Sequence, residues 1–217
     1  MRERGYFITF EGIDGAGKST QLRLLADLLV ARGQTVVTTR EPGSTPFGEQ
    51  VRSMLLASEI ALTPNTELLL FLADRTEHVA RVIEPALAAG KIVLCDRFSD
   101  STIAYQGYGR QADVARIARW DAETRGGLEA DLTFLLDCPV GEGARRRCRT
   151  SDRYQSLDAA FHQRVRDGFL AIAAAAPHRV RRIDTTGPVT EVSAEIARIT
   201  LTGLEERFGG AAPERHR

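Results

Sequence analysis

Short apolar runs alternate along the chain with longer stretches in which apolar residues recur every three or four positions. Tyr6 to Glu11 reads as the first strand. From about Lys18, the residues Leu22, Leu25, Ala26 and Leu29 share one face of a helix that Gly33 stops. Thr35 to Thr39 is the second strand, and Glu41 to Gly48 a loop rich in Pro and Gly. Two helical stretches follow, near Phe47 to Ala57 and Thr66 to Ala89; Pro85 either kinks the second or marks its last turns. Ile92 to Cys95 is a short buried strand, Asp131 to Asp137 another and Arg179 to Ile183 a weaker one. The last helix runs from about Val189 to Phe208, and the tail 209–217 reads as frayed. Strands that alternate with helices predict an α/β fold, a parallel sheet covered by helices.

The 217 residues suit one domain, 1–217, with room for a small insert. No repeat, low-complexity linker or domain boundary interrupts the pattern. Formal charge is balanced, with 29 basic against 29 acidic residues, so nothing general points to a nucleic-acid or membrane partner. A charged ligand would have to be held by local charge. No apolar run approaches the roughly 20 residues that span a bilayer. Met1 to Phe10 lacks a signal-peptide pattern. Cys95, Cys138 and Cys148 are odd in number and form no CxxC pair, which disfavours zinc and a disulfide framework and fits a reducing cytoplasm.

Gly12, Gly17, Lys18 and Ser19 complete GxxxxGK[ST] directly after a strand and at the start of a helix. Glycines there let the backbone wrap a phosphate, and successive N–H groups at a helix N-terminus supply positive potential. Lys18 would neutralise the transferring phosphates, and the Ser19 hydroxyl would ligate magnesium. A chance match somewhere in such a chain is on the order of a percent at average residue usage. The fold predicted is therefore a P-loop NTPase three-layer sandwich, with five parallel strands flanked by helices. Translocases, GTPases and small-molecule kinases share this motif, so it leaves the reaction open. The absence of an NKxD motif counts against a GTPase.

Asp96 and Arg97 directly follow the strand Ile92 to Cys95, where ligands sit in open α/β sheets. Asp96 would reach the magnesium shell and Arg97 a phosphate; a strand-end ion pair is the plainer alternative. Thr39 to Gly43 forms a second such edge.

Six segments together resemble the thymidylate kinase family, in its order and spacing. They are FEGIDGAGKST (10–20), TREPG (39–43), FLADR (71–75), DRF (96–98), STIAYQG (101–107) and DLTFLLD (131–137). The resemblance implies transfer of the ATP γ-phosphate to dTMP, with Mg2+ as cofactor, in a homodimer. Gly12, Ile13, Asp14, Gly15, Ala16, Gly17, Lys18, Ser19 and Thr20 correspond to the donor cradle, and Ser19 and Asp96 to the metal ligands. Asp14 resembles the carboxylate that meets the dTMP 3′-hydroxyl, and Phe71 the ring that stacks on thymine. Arg75 resembles the donor to the base carbonyl, Thr102 and Gln106 the base-edge readers, and Tyr105 the ring that crowds a ribose 2′-hydroxyl. Arg40, Arg52 and Arg97 resemble an acceptor-phosphate clamp with Glu41 beside it, and Ser101 lies in the same acceptor motif.

Each residue alone has a rival reading. Phe71 and Tyr105 fit core packing, and Arg52, Arg75, Thr102 and Gln106 fit a helix surface. Asp14 fits a turn-shaping role. The joint match reverses these. Three departures stand out: Ser44 replaces a second loop glycine, Ala130 a common proline, and Gln155 a frequent glutamate. Arg145, Arg146, Arg147, Arg149 and Arg153 crowd one segment, about 145–156, that resembles the family's short mobile lid, whereas the P-loop carries Asp14-Gly15 and no arginine. Phosphoryl transfer needs positive charge on the moving group, which by resemblance comes from the lid. Arg153 is the first candidate for that catalytic role, with Arg147 and Arg149 on the ATP phosphates.

Overall fold

Five strands form one parallel sheet in the order β2-β3-β1-β4-β5: β1 (Tyr6–Glu11), β2 (Val36–Arg40), β3 (Ile92–Asp96), β4 (Leu132–Asp137) and β5 (Val180–Asp184). The computed structural model describes residues 4–57, 61–146, 154 and 157–209. Phe7 packs on one face of the sheet with Val93 and Cys95, against Val79, Ile83 and Leu87. Its neighbours Ile8 and Phe10 face the opposite side, among Leu22, Leu25, Leu29, Phe161 and Val165. The two-residue period of a strand thus divides β1 between two cores. Phe7, Ile8 and Phe10 are fully buried, each stabilising by about 1.5–3 kcal/mol through apolar burial.

The flanking helices are α1 (Lys18–Ala31), α2 (Pro46–Leu56), α3 (Pro64–His78), α4 (Glu84–Ala88), α5 (Ser99–Thr102), α6 (Val114–Thr124), α7 (Val140–Arg146), α8 (Ala159–Ala175) and α9 (Val189–Phe208). Thr45 and Thr63 cap α2 and α3 through their side chains, each followed by proline in the first turn. Asp113 and Asp158 cap α6 and α8 in the same way.

The single helix expected over Thr66 to Ala89 is a correction. It starts at Pro64, widens into a π-helical turn at Val79–Ile83 and resumes as α4. Pro85 lacks an N–H and crowds the carbonyl four residues back, and the wider turn absorbs that conflict. A second π-helical stretch, Ile103–Gly109, continues α5. The helix expected over Phe47 to Ala57 begins one residue earlier, and β2 and β5 run one residue later than read from the chain. Helices α5 to α8 had no counterpart in the sequence pattern as read.

Candidate active site

The carboxyl ends of β1, β2 and β3 lie side by side, with Phe10 and Arg40 both in register with Asp96. The loops leaving them therefore converge at one edge of the sheet, where open α/β sheets bind ligands. After β1 the chain wraps through Gly12, Gly15 and Gly17, all at positive φ. A side chain at Gly12 would meet the Leu136 carbonyl at 2.3 Å, and one at Gly15 the Gly143 carbonyl at 2.1 Å. The helix that follows, α1, has no side-chain cap and no acid in its first turn. Its first N–H groups and its dipole are left for an anion.

Lys18 is buried, and its Nζ donates to the carbonyls of Gly12 at 3.0 Å and Ile13 at 2.9 Å. Burial, with Arg97 nearby, brings its pKa down to about 8. Asp14, Gly15, Ala16, Gly17, Lys18, Ser19 and Thr20 line an open cleft of about 840 Å3. Ile13 contributes its carbonyl only, since its side chain packs in the core. The Ser19 hydroxyl donates to Asp96 Oδ2 at 2.5 Å.

Beside this cleft lies a second, smaller cavity of about 120 Å3. Phe71, Phe98, Tyr105, Tyr154 and Leu56 line it, with Arg75, Ser101, Thr102 and Gln106 as polar groups. Asp14, Glu41, Arg52 and Arg97 line both cavities, so the two meet there. Arg97 is the centre of the junction. Its Nη1 donates to Gly12 O and Ser101 Oγ, both at 3.0 Å, and its Nη2 to Asp14 Oδ1 at 2.5 Å. The guanidinium also lies 5.0 Å from the centre of the Tyr105 ring. Burial alone would lower its pKa, but Tyr105, Asp14, Asp96 and Glu11 outweigh burial and raise it. Its φ of 70° is a left-handed conformation that an arginine rarely adopts.

Arg52 donates to the Pro42 carbonyl at 2.9 Å. Arg40 is not brought into the same group: it pairs with Glu49 at 3.0 Å and lines only the larger cleft. Glu41 turns away from the clamp as well. Its Oε2 accepts from Arg75 Nε at 2.8 Å, and its Oε1 lies 2.8 Å from His78 Nδ1. Arg75 is 1 % exposed, which removes the helix-surface reading. Beyond Glu41 it donates to Thr102 Oγ1 at 2.9 Å and to Asp121. Burial opposes its charge, but Glu41 and Asp121 hold its pKa above the ordinary value. Thr102, Tyr105 and Gln106 are likewise buried in the pocket wall, and Phe71 is half-buried there.

Several positioning residues escaped the sequence reading because their partners are distant in the chain. Asp121 holds Arg75 and accepts from Ser99 and Arg125. Glu11 accepts from Phe98 N at 2.7 Å and Ser101 Oγ at 2.5 Å, and burial beside Asp100 lifts its pKa to about 8. Asp74 accepts from Gly43 N at 3.1 Å; burial, then Glu41, raises its pKa to about 7. Tyr154, one of the few described residues of the lid, packs 6.3 Å from Phe71 and 6.0 Å from Tyr105, ring centre to ring centre. Arg147, Arg149 and Arg153 lie outside the described residues. Arg146 lines the larger cleft and donates to the Thr185 carbonyl at 2.8 Å.

The chain is similar to known proteins over nearly its whole length. The family model described as thymidylate kinase matches residues 10–196. A thymidylate kinase of Geotalea uraniireducens is 47% identical over 211 residues, covering 93% of this chain and 99% of its own. One from Gloeobacter violaceus is 52% identical over 193 residues, covering 87% and 91%. The crystal structure of thymidylate kinase from Ehrlichia chaffeensis superposes with a TM-score of 0.76 at 40% identity, covering 91% of this chain and 99% of that one. With a P-loop cleft that opens onto an aromatic pocket past two shared arginines, Arg52 and Arg97, and with this similarity over nearly its whole length, the chain belongs to the thymidylate kinase family.

Proposed function

We propose that the chain is one P-loop kinase domain, 1–217, that transfers the γ-phosphate of ATP to dTMP, giving dTDP and ADP. The observation that carries this reading is the meeting of the two cavities at Asp14, Glu41, Arg52 and Arg97. ATP phosphates would take the P-loop cleft, and thymine the aromatic pocket, stacked on Phe71 with Arg75, Thr102 and Gln106 at its edge. The two phosphate ends would then face each other across Arg97. An oxygen of the dTMP phosphate attacks the γ-phosphorus in line as the bond to the β-bridging oxygen breaks, and ADP leaves. The attacking oxygen is already anionic, so the reaction needs no strong general base, and positioning and charge stabilisation dominate. Lys18 and Arg97 offset charge on the phosphates, and Asp14 orients both Arg97 and the sugar.

Ser19 and Asp96 offer a hydroxyl and a carboxylate 2.5 Å apart at the cleft, an all-oxygen set suited to a hard cation that keeps most of its water. Mg2+ held there would draw charge from the phosphate oxygens. Lid closure over 145–156 would exclude water and bring in an arginine. Arg153→Ala should lower the turnover number by about 10³-fold or more with little change in ATP binding, because a group met only on closure acts in the transition state. Arg147→Ala and Arg149→Ala should be assayed in parallel. Turnover within a few-fold of wild type in all three leaves the lid without a catalytic arginine.

The same reading makes the enzyme a cytoplasmic homodimer. Cys95 and Cys138 are free buried thiols, as a reducing compartment favours. Phe47, Met54 and Leu69 expose apolar side chains on α2 and α3 that a second copy would cover. Sedimentation velocity should give about twice the monomer mass; a monomer at micromolar concentration contradicts this.

The closest rival is a kinase for another nucleoside monophosphate. Initial rates with dTMP, dUMP, CMP and GMP at saturating ATP, with chromatographic identification of the diphosphate formed, decide between them. The reading requires dTMP to be the best acceptor.

A further inference from the structure

Gln106 lines the acceptor pocket and is 3% exposed, yet its amide is committed on the side away from any ligand. Nε2 donates to Glu67 Oε1 at 2.9 Å. Glu67 lies in the first turn of α3 and is 1% exposed, and it is not part of the pocket wall. Arg110 supplies its countercharge, with Nη2 2.9 Å from Oε2 and Nε 3.4 Å from Oε1. A carboxylate paired in this way only accepts, so Gln106 must turn its nitrogen toward it. The amide oxygen is what remains for a base in the pocket.

Arg75 presents only N–H groups, so the wall pairs a donor with an acceptor. The Watson–Crick edge of a 4-oxo pyrimidine is its complement, an acceptor at O4 beside a donor at N3–H. A 4-amino pyrimidine has the reverse pattern at both atoms. A glutamine free to flip would serve either base, and the discrimination depends on the flip being blocked. We propose that Glu67 is a positioning residue that locks the polarity of Gln106 and so makes the pocket select 4-oxo over 4-amino pyrimidine nucleotides. The inference rests on the thymidylate reading of the site and names the residue that enforces its base selectivity.

Steady-state kinetics of the purified full chain with ATP and either dTMP or dCMP test it. Glu67→Gln presents a side-chain amide in place of the carboxylate and lets Gln106 turn either way. It should raise KM for dTMP more than it lowers kcat, and shrink the dTMP-to-dCMP ratio of kcat/KM by about tenfold or more. Arg110→Lys, which keeps both the countercharge and the carboxylate, should keep that ratio within about twofold. The exchange Glu67→Gln with Gln106→Glu puts an acceptor-only group at the pocket and should restore much of the discrimination. A folded Glu67→Gln variant with the wild-type ratio overturns the proposal, as does an equal loss in Arg110→Lys. If the wild type itself shows no preference for dTMP, the substrate reading fails and the lock with it. If the single variant does not fold, a neutron structure of the wild-type complex with dTMP decides: the Gln106 nitrogen facing Glu67 supports the lock, and the oxygen facing Glu67 overturns it.

Discussion

Replacing Lys18 by alanine should reduce the turnover number by about a thousandfold or more while the chain stays folded. Lys18 directs its ammonium at the carbonyls of Gly12 and Ile13, consecutive residues at the start of the cradle. Both carbonyls have a second donor. Gly12 O also accepts from Arg97 at 3.0 Å, and Ile13 O from the Ala16 N–H at 3.3 Å. Removing the lysine therefore strands no acceptor, and the fold should lose little. What is lost is a positive charge that can exchange these carbonyls for phosphate oxygens in a buried cleft. Charge in such a place acts in low dielectric, where it counts far more than in water. Thermal melts beside the kinetics separate the two effects. Turnover near wild type in a variant with an unchanged melting temperature contradicts the cradle assignment.

Arg97→Ala should lower kcat/KM for dTMP by a comparable factor, about 10³, with a smaller effect on ATP affinity. The guanidinium joins four groups from both cavities: Gly12 O, Asp14, Ser101 and Tyr105. It is the side chain through which the P-loop and the acceptor wall touch. Its left-handed backbone shows that the local geometry favours aiming this side chain over backbone comfort. Alanine would remove the ion pair to Asp14 and one of the two arginines at the junction, so some loss of stability accompanies the kinetic loss. Arg97→Lys is the informative control. Lysine restores the charge but not the planar fork that reaches Gly12 O, Ser101 and Asp14 together, so it should recover only part of the activity. Equal kinetics for alanine and wild type remove Arg97 from the acceptor clamp; full recovery in the lysine variant reduces it to a point charge.

What the chain reveals by itself depends on how local the cause is. The cradle is legible because a phosphate loop needs its glycines, lysine and hydroxyl at fixed spacing between one strand and one helix. The parallel sheet is legible because β1 and β4 are buried on both faces and read as mostly apolar runs. The break before Pro85 is half legible: proline announces a conflict, but not whether the helix bends, ends or widens. Helix α8 carries Phe161, Val165 and Phe169 at four-residue intervals, a signal that the alanines around them dilute.

The wiring of the acceptor site could not be read this way. Arg75 meets Glu41 from 34 positions away and Asp121 from 46, and Gln106 meets Glu67 across 39. No periodicity links such residues; only the sheet order and the packing of α3 against α6 bring them together. For the same reason Arg40, beside Glu41 in sequence, turns to Glu49 while Glu41 turns inward.

The strongest alternative of another class is a nucleotide-dependent switch, in which ATP binding or hydrolysis serves a partner rather than a product nucleotide. Such a protein would share the P-loop but would have no use for an arginine common to two cavities. ATP labelled with 18O in its γ-phosphate, incubated with Mg2+, the purified chain and dTMP, separates the readings in one mass spectrum. The account predicts that the label appears in the β-phosphate of dTDP in amounts equal to the ADP formed, with next to none in inorganic phosphate. Label that collects in inorganic phosphate while dTMP is recovered unchanged would contradict it.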